Sequence, residues 1–300
     1  MRINNNVAAM NAHRSYGLNN SAATKSMAKL SSGYRINSAA DDAAGLAISE
    51  KMRSQIRGLT MASKNTQDGI SLIQTAEGGM QEIDNMIQRV RELVVYAAND
   101  TQTGTGEVTG GSETAGATDR KKIQAEIDQL VSEINGMKDR VAFNNKKVIS
   151  GTFSTTGLTF QVGANANQTV SLTIGSLDSL TLGIGAAATG ETTMSIGTLT
   201  SLEDATAAQI SAALSTIDSA LLTVTTERSK LGAMQNRLEY TQNSLDISAE
   251  NITAAESRIR DVDMAKEMTT FTKNNILFQA STAMLAQANA FPQGVLQLLG

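Results

Sequence analysis

Apolar residues stand seven apart over the last third of this 300-residue chain, at Ile210, Ile217, Val224, Leu231, Leu238, Leu245, Ile252 and Ile259. A seven-residue apolar repeat keeps one stripe on one side of a helix, and a supercoil holds that stripe against a partner. The run from Leu202 to Ala290 holds no proline and a single glycine, Gly232, so nothing in it forces a break. At ~1.5 Å per residue such a run suffices for a rod of roughly 130 Å. A compact domain has no use for a rod of that length. The chain is expected to build something long, or something made of many copies.

A second stripe lies towards the other end. Met52, Leu59, Thr66, Ile73, Met80, Ile87 and Val94 repeat by seven, and Ala62, Gly69, Ala76, Ile83, Val90 and Ala97 sit three residues further on. A shorter third stripe, Ile123, Ile127, Leu130, Ile134, Met137 and Val141, advances by fours and threes. The spacing predicts three antiparallel helices: one from the N-terminal half, a shorter return helix, and one from the C-terminal half. The charged positions between stripes, Glu82, Asp84, Arg89, Arg91 and Glu92, read as a solvated face.

The fold class this predicts is mainly α: a long antiparallel helical bundle or coiled coil, with a small β-hairpin region at the middle of the sequence. Aromatic residues are 3% of the chain and Trp is absent, so the core must be aliphatic and thin. A formal charge of −4 argues against nucleic acid as the main partner, because phosphate binding needs a concentrated basic patch. With no cysteine there is no disulfide, thiolate or Cys-based zinc site. The N-terminal residues lack the apolar core of a secretory signal, and no stretch is long enough to span a bilayer. These signals predict a soluble protein that stays in the cytoplasm or leaves by a route without a cleaved signal.

The first helix is expected from about Asn5 to Ser32, with Gly33 as the left-handed residue past its end. Asp41 or Asp42 then caps a helix running to about Ala98. Residues 101–118 are small, polar and patternless, which predicts an exposed loop. Leu158, Phe160 and Val162 alternate, as do Val170, Leu172 and Ile174, around Gly163-Ala-Asn-Ala-Asn-Gln, and this predicts a β-hairpin. Residues 175–201 read as short strands and loops. After Ile259 the seven-residue row changes phase and resumes as Met264, Phe271, Phe278 and Leu285, with Leu277, Met284 and Phe291 beside it. A joint is therefore expected near 260–264, with the segment beyond it packing on the N-terminal helix. Pro292 is expected to end the rod.

No catalytic pattern stands out in the sequence. His13 is the only histidine and has no second ligand near it in sequence. There is no phosphate-binding Gly-rich loop, Asp41–Asp42 reads as a cap, and Asp261 and Asp263 beside Arg258 and Arg260 read as a charged joint. The methionines in the stripes read as core filler. Catalytic, cofactor-binding and metal-ligating residues are all expected to be absent, and the chain is expected not to be an enzyme.

Long motifs at the two ends say more. Lys29-Leu-Ser-Ser-Gly-Tyr-Arg-Ile-Asn, Asp41-Asp-Ala-Ala-Gly-Leu-Ala-Ile-Ser, Gln67-Asp-Gly-Ile-Ser-Leu-Ile-Gln-Thr-Ala-Glu-Gly and Gln88-Arg-Val-Arg-Glu-Leu closely resemble the N-terminal signatures of bacterial flagellins. Leu231-Gly-Ala-Met-Gln-Asn-Arg-Leu and Glu250-Asn-Ile-Thr-Ala-Ala-Glu-Ser-Arg-Ile-Arg-Asp-Val-Asp-Met-Ala resemble their C-terminal ones. The resemblance covers about residues 1–100 and 205–300, with Phe143-Asn-Asn and Phe160-Gln-Val-Gly-Ala-Asn between.

It implies a subunit that polymerises into the hollow helical flagellar filament for swimming motility. The implied inner-core segments are residues 1–42 and 261–300, with Ile3, Val7, Leu18, Met27, Leu30, Met264, Met268, Phe271, Phe278 and Leu285 at the subunit interface. The implied helical core domain is 43–175 (loop 101–118 and hairpin 153–175 included) and 202–260, with 176–201 a short outer segment. Terminal helices with narrow apolar stripes cannot bury them in a lone chain and are expected to order only on assembly. The implied partners are many identical copies, an export chaperone on Asp261–Gly300, and the filament cap and hook-associated proteins. A Toll-like receptor is implied through Arg89, Leu93 and Glu126. The implied location is the extracellular flagellum, reached through the flagellar export apparatus. Two other readings remain in play: a hook–filament junction protein, and a secreted enzyme or adhesin on the same frame, for which the short middle leaves little room.

Overall fold

The computed structural model describes residues 6–99, 115–185 and 207–299. Helices α1 (Val7–Ser32), α2 (Ala43–Ala97), α3 (Ala115–Arg140), α5 (Ala207–Arg260) and α6 (Met264–Leu299) dominate. Between α3 and α5 lie β1 (Ala142–Phe143), β2 (Lys146–Lys147), the single turn α4 (Phe153–Thr156), β3 (Leu158–Gln161) and β4 (Thr169–Leu172). The chain divides into two compact units, Met1–Arg57 with Ile247–Gly300, and Gly58–Asp246. The division falls inside α2 and α5, which contribute to both.

In the unit formed by residues 58–246, three helices share one aliphatic core. Arg91 of α2 pairs with Asp218 of α5, Arg228 pairs with Asp84 and Glu77, and the Ser63 hydroxyl donates to Asp246. Numbers fall along α2 as they rise along α5, so the two are antiparallel. Ile73, Met80, Ile87 and Val94 from α2 meet Ile127 and Ile134 from α3 and Ile217, Val224 and Leu238 from α5, all fully buried. In α3, Val131 is buried and Leu130 only half so, a small rotation of the expected stripe.

The solvated-face reading holds at Glu82, Arg89, Arg91 and Glu92 and fails at Asp84. Asp84 is buried, its Oδ2 3.5 Å from Arg228 Nη1 and accepting from Gln88 Nε2 at 3.2 Å. Its Oδ1 has no hydrogen-bond partner. Sliding either helix by one turn would strand this carboxylate among aliphatic side chains, so the pair penalises other registers.

The expected β3–β4 hairpin is present and pairs Leu158 with Leu172 and Phe160 with Val170. It seats on α2 where α2 is bare: a Cβ on Gly58 would stand 2.8 Å from the Ala164 Cβ, and one on Gly69 would stand 3.2 Å from the Phe160 ring. The β1–β2 ribbon went unread in the sequence. Its two-residue turn is Asn144–Asn145, both at positive φ (47° and 62°), a conformation asparagine tolerates.

Two further expectations are corrected. Helix α3 begins at Ala115, so the last residues of the expected loop 101–118 are helical; residues 100–114 lie outside the described ones. Residues 176–185 form the loops and turns expected there without a regular strand, and Leu177, Leu182 and Ile184 are buried in the core of this unit. The rest of 176–201 lies outside the described residues. Helix α6 also continues through Pro292 to Leu299.

Candidate assembly surface

The terminal unit is built from its caps inward. The Asn6 side chain accepts from the Ala9 amide at 3.1 Å and so starts α1, and Gly33, at φ 75°, ends it with its N–H on the Lys29 carbonyl. Tyr34 bridges to Asp261, the Arg35 amide donates to the Arg260 carbonyl at 2.7 Å, and the Val262 amide donates to the Gly33 carbonyl at 3.0 Å. Arg260 lies over the Tyr34 ring, 4.9 Å from its centroid, and pairs with Glu50. The joint at 261–263 is thus tied to the end of α1 by backbone hydrogen bonds. The two adjacent acids divide the work. Asp42 Oδ1 caps α2 at the Gly45 amide, and Asp41 gathers the amides of Ser38 and Asn37. Asp263 caps α6 at Lys266.

Those hydrogen bonds hold the Asp41 carboxyl below its usual range, the Ser38 amide first and the Asn37 amide second, and the Arg260 guanidinium does the same for Glu50. A carboxyl whose folded pKa is depressed contributes stability above its unfolded pKa and loses it as pH falls through the folded one. The turn and the joint are therefore firm at neutral pH and loosen in acid.

Helices α1 and α6 run antiparallel, as Asn6 to Ala288 and Tyr16 to Phe278 show. The Tyr16 and Phe278 rings lie 4.9 Å apart between centroids, and Asn19 donates to Ser281 Oγ at 2.7 Å. Asn6 does a second job. Its Nδ2 donates to the Ala288 carbonyl at 2.8 Å, four residues before Pro292, whose nitrogen carries no hydrogen to satisfy it. This is how α6 passes a proline that should have stopped it. Asn6→Asp keeps the cap and removes that donor, so filaments of this variant are expected to melt at a lower temperature than the parent, read by loss of helical circular dichroism.

The pair leaves much apolar surface in water. Val7 is 64% exposed, Met10 68%, Leu18 67%, Met264 48%, Met268 50%, Ile276 60% and Met284 64%. At about 100° per residue, Val7 and Leu18 share a side of α1 while Met27, also exposed, stands nearly opposite. Exposed apolar groups on several sides of a paired helix call for several neighbours. Leu30, Phe271, Phe278 and Leu285 are half-buried within the unit, and Ile3 lies outside the described residues.

The C-terminal heptad grades along α5. Ile210, Ile217, Val224, Leu231, Leu238 and Leu245 are buried, whereas Ile252 and Ile259 are only half-buried. Of the three receptor candidates, Arg89 and Glu126 come together: Arg89 Nη2 reaches Glu126 Oε1 at 2.9 Å and its Nη1 reaches Glu92 at 3.1 Å, all three side chains exposed. Leu93 does not join them. It is 6% exposed, turned into the core beside Val94, and so cannot be touched by a partner without opening the unit.

No group of three His, Cys, Asp or Glu side chains able to hold a metal occurs among the described residues, and no described helix is long and apolar enough to cross a membrane. A subunit with a closed helical core and an unfinished pair of terminal helices is the build of a self-assembling structural protein. The family model for the bacterial flagellin N-terminal helical region matches residues 3–154, and that for the C-terminal helical region matches residues 214–299. The chain is 54% identical to the flagellin of Bacillus subtilis (strain 168) and 51% identical to that of Halalkalibacterium halodurans, with 100% of both chains covered in each case. A putative flagellar hook-associated protein from Vibrio parahaemolyticus shares the fold, at TM-score 0.56 and 14% identity over 74% of this chain and 100% of that one. The chain belongs to the bacterial flagellin family and is a structural subunit of the flagellar filament. The junction-protein reading is not favoured.

Proposed function

We propose that this flagellin polymerises by completing α1 and α6 against the same helices of identical copies. Residues 1–42 and 261–300 form the inner core and the helices of 43–260 the shell around it. The observation that carries this is the exposed apolar surface on several sides of the α1–α6 pair. Val7, Leu18, Met27, Met264 and Met268 supply contacts between copies, with Ile3, Leu30, Phe271, Phe278 and Leu285 in the same interface. In the free subunit these helices lack most of their burial and order only when neighbours arrive. The role is structural rather than catalytic. Purified chain given short filament seeds is expected to extend them into long tubes visible by electron microscopy. A chain that stays monomeric at any concentration, seeded or not, would sink the proposal.

Travel through the export apparatus suits such a chain, since its ends unfold readily and no disulfide locks it. An export chaperone on 261–300 would cover Met264, Phe271 and Phe278 beforehand, and the cap and hook-associated proteins would present the end onto which new copies fold.

A second reading rests on the exposed Arg89–Glu126–Glu92 cluster. A Toll-like receptor binding this charged patch would lose its contact in Arg89→Asp. That variant breaks only two solvent-exposed ion pairs, so the monomer stays folded. Receptor signalling by it is expected to fall sharply, and full signalling would remove the patch from consideration.

A further inference from the structure

All sulfur in this chain is thioether: there are thirteen methionines and no cysteine. An oxidant that seeks sulfur therefore has only methionine to attack, and exposure decides which one. Met80 is fully buried in the core of residues 58–246. Met10, Met27, Met264, Met268 and Met284 are 48–68% exposed, and all five lie on α1 and α6. Met61 on α2, at 54%, is the one other methionine this exposed among the described residues, so five of the six most open to oxidant sit on the helices through which copies join.

We infer that these five methionines are a modification site for two-electron oxidants of the peroxide and hypochlorous acid class. Their conversion to sulfoxide in the free subunit blocks its entry into the filament. The inference rests on the assembly role of α1 and α6 given above. With hydrogen peroxide the sulfur lone pair attacks one oxygen, the O–O bond breaks, an S–O bond forms and water leaves. Sulfur loses two electrons and the peroxide gains them. The product carries a strong acceptor oxygen where a neighbouring copy offers apolar side chains. That acceptor would be buried without a donor or would hold the helices apart. Val7, Leu18 and Ile276 share the surface but cannot be oxidised in this way. Once copies pack, the five sulfurs lose access to oxidant, so filament already built is resistant while subunits awaiting assembly are not. Sulfoxide is reversible by the two stereospecific methionine sulfoxide reductases, so the block is a switch rather than damage.

The test treats free subunits with dilute hydrogen peroxide, maps sulfoxides by peptide mass spectrometry, and then measures seeded elongation. The expected result is oxidation at the five positions ahead of Met80, loss of elongation, and recovery after incubation with both reductases. Filaments given the same dose should retain unmodified sulfur at these positions. A subunit carrying leucine at all five should elongate after peroxide as before it. Untreated chain serves as the reference: its failure to elongate would count against the assembly reading, whereas the outcomes below bear on the oxidation alone. Normal elongation by fully oxidised subunits, no recovery after reduction, equal oxidation of free and assembled chains, or equal inhibition of an elongation-competent leucine variant would each overturn the inference.

Discussion

Removal of residues 1–30 is expected to abolish polymerisation while leaving the unit of residues 58–246 folded. The deletion takes away the Asn6 donor to Ala288, the Tyr16 ring on Phe278 and the Asn19 hydrogen bond to Ser281. Helix α6 is left without the partner it packs on. Helices in proteins draw most of their stability from tertiary packing, and α6 would have lost its packing partner. The aliphatic core of residues 58–246 is built from α2, α3, α5 and the segments between them, and the deletion removes none of its residues. Seeded elongation should therefore fall to zero, read by sedimentation and electron microscopy. The truncated chain should still unfold cooperatively in denaturant, with most of its helical circular dichroism. Tubes from the truncated chain would show that α1 is not an assembly helix. Loss of the cooperative transition would show that the two units are not independent.

Much of this was legible beforehand because a coiled-coil core writes its period directly into the chain. Heptad spacing located α2, α3 and α5, the phase change located the joint at 261–263, and two alternating runs located the β3–β4 hairpin. What escaped depended on partners distant in sequence. Asp84 looks like its charged neighbours until Arg228 arrives from α5. Leu93 lies beside Val94 in the stripe, and only the folded unit shows that the buried face is wide enough to take it in. Pro292 is a sound stop signal for an isolated helix, and only Asn6 from the other end of the chain supplies the missing hydrogen bond. The Asn144–Asn145 turn left a signal, two adjacent residues tolerant of positive φ, but its strands are too short to show alternation. The surface of α1 and α6 was readable as apolar. Which faces remain open needed the pairing of the two helices.

Leu238→Asp is expected to unfold the monomer, and the same substitution further along the heptad to do progressively less. Leu238 is fully buried, and its Cδ1 is 3.4 Å from where a Cβ on Gly69 would stand, so α5 and α2 touch there. Losing the buried side chain costs about 2–5 kcal/mol. An aspartate carboxylate at that position would lie within the buried apolar cluster, which adds several kcal/mol more or forces the group to bind a proton. Together these approach the total stability of about 5–15 kcal/mol for an ordinary domain. Leu245, at 8% exposure, keeps slight contact with water and should cost less. Ile259 is only half-buried, so its aspartate can reach solvent and the loss should be nearer the typical value of about 1 kcal/mol. Denaturant midpoints of the three variants should rise in the order Leu238, Leu245, Ile259. Seeded elongation separates two causes of failure: Leu238→Asp fails because nothing folded remains to add, whereas Ile259→Asp yields a folded monomer whose defect lies beside the joint. Equal midpoints for the Leu238 and Ile259 variants would mean that the heptad is buried to the same depth throughout, and the grading along α5 would have to be abandoned.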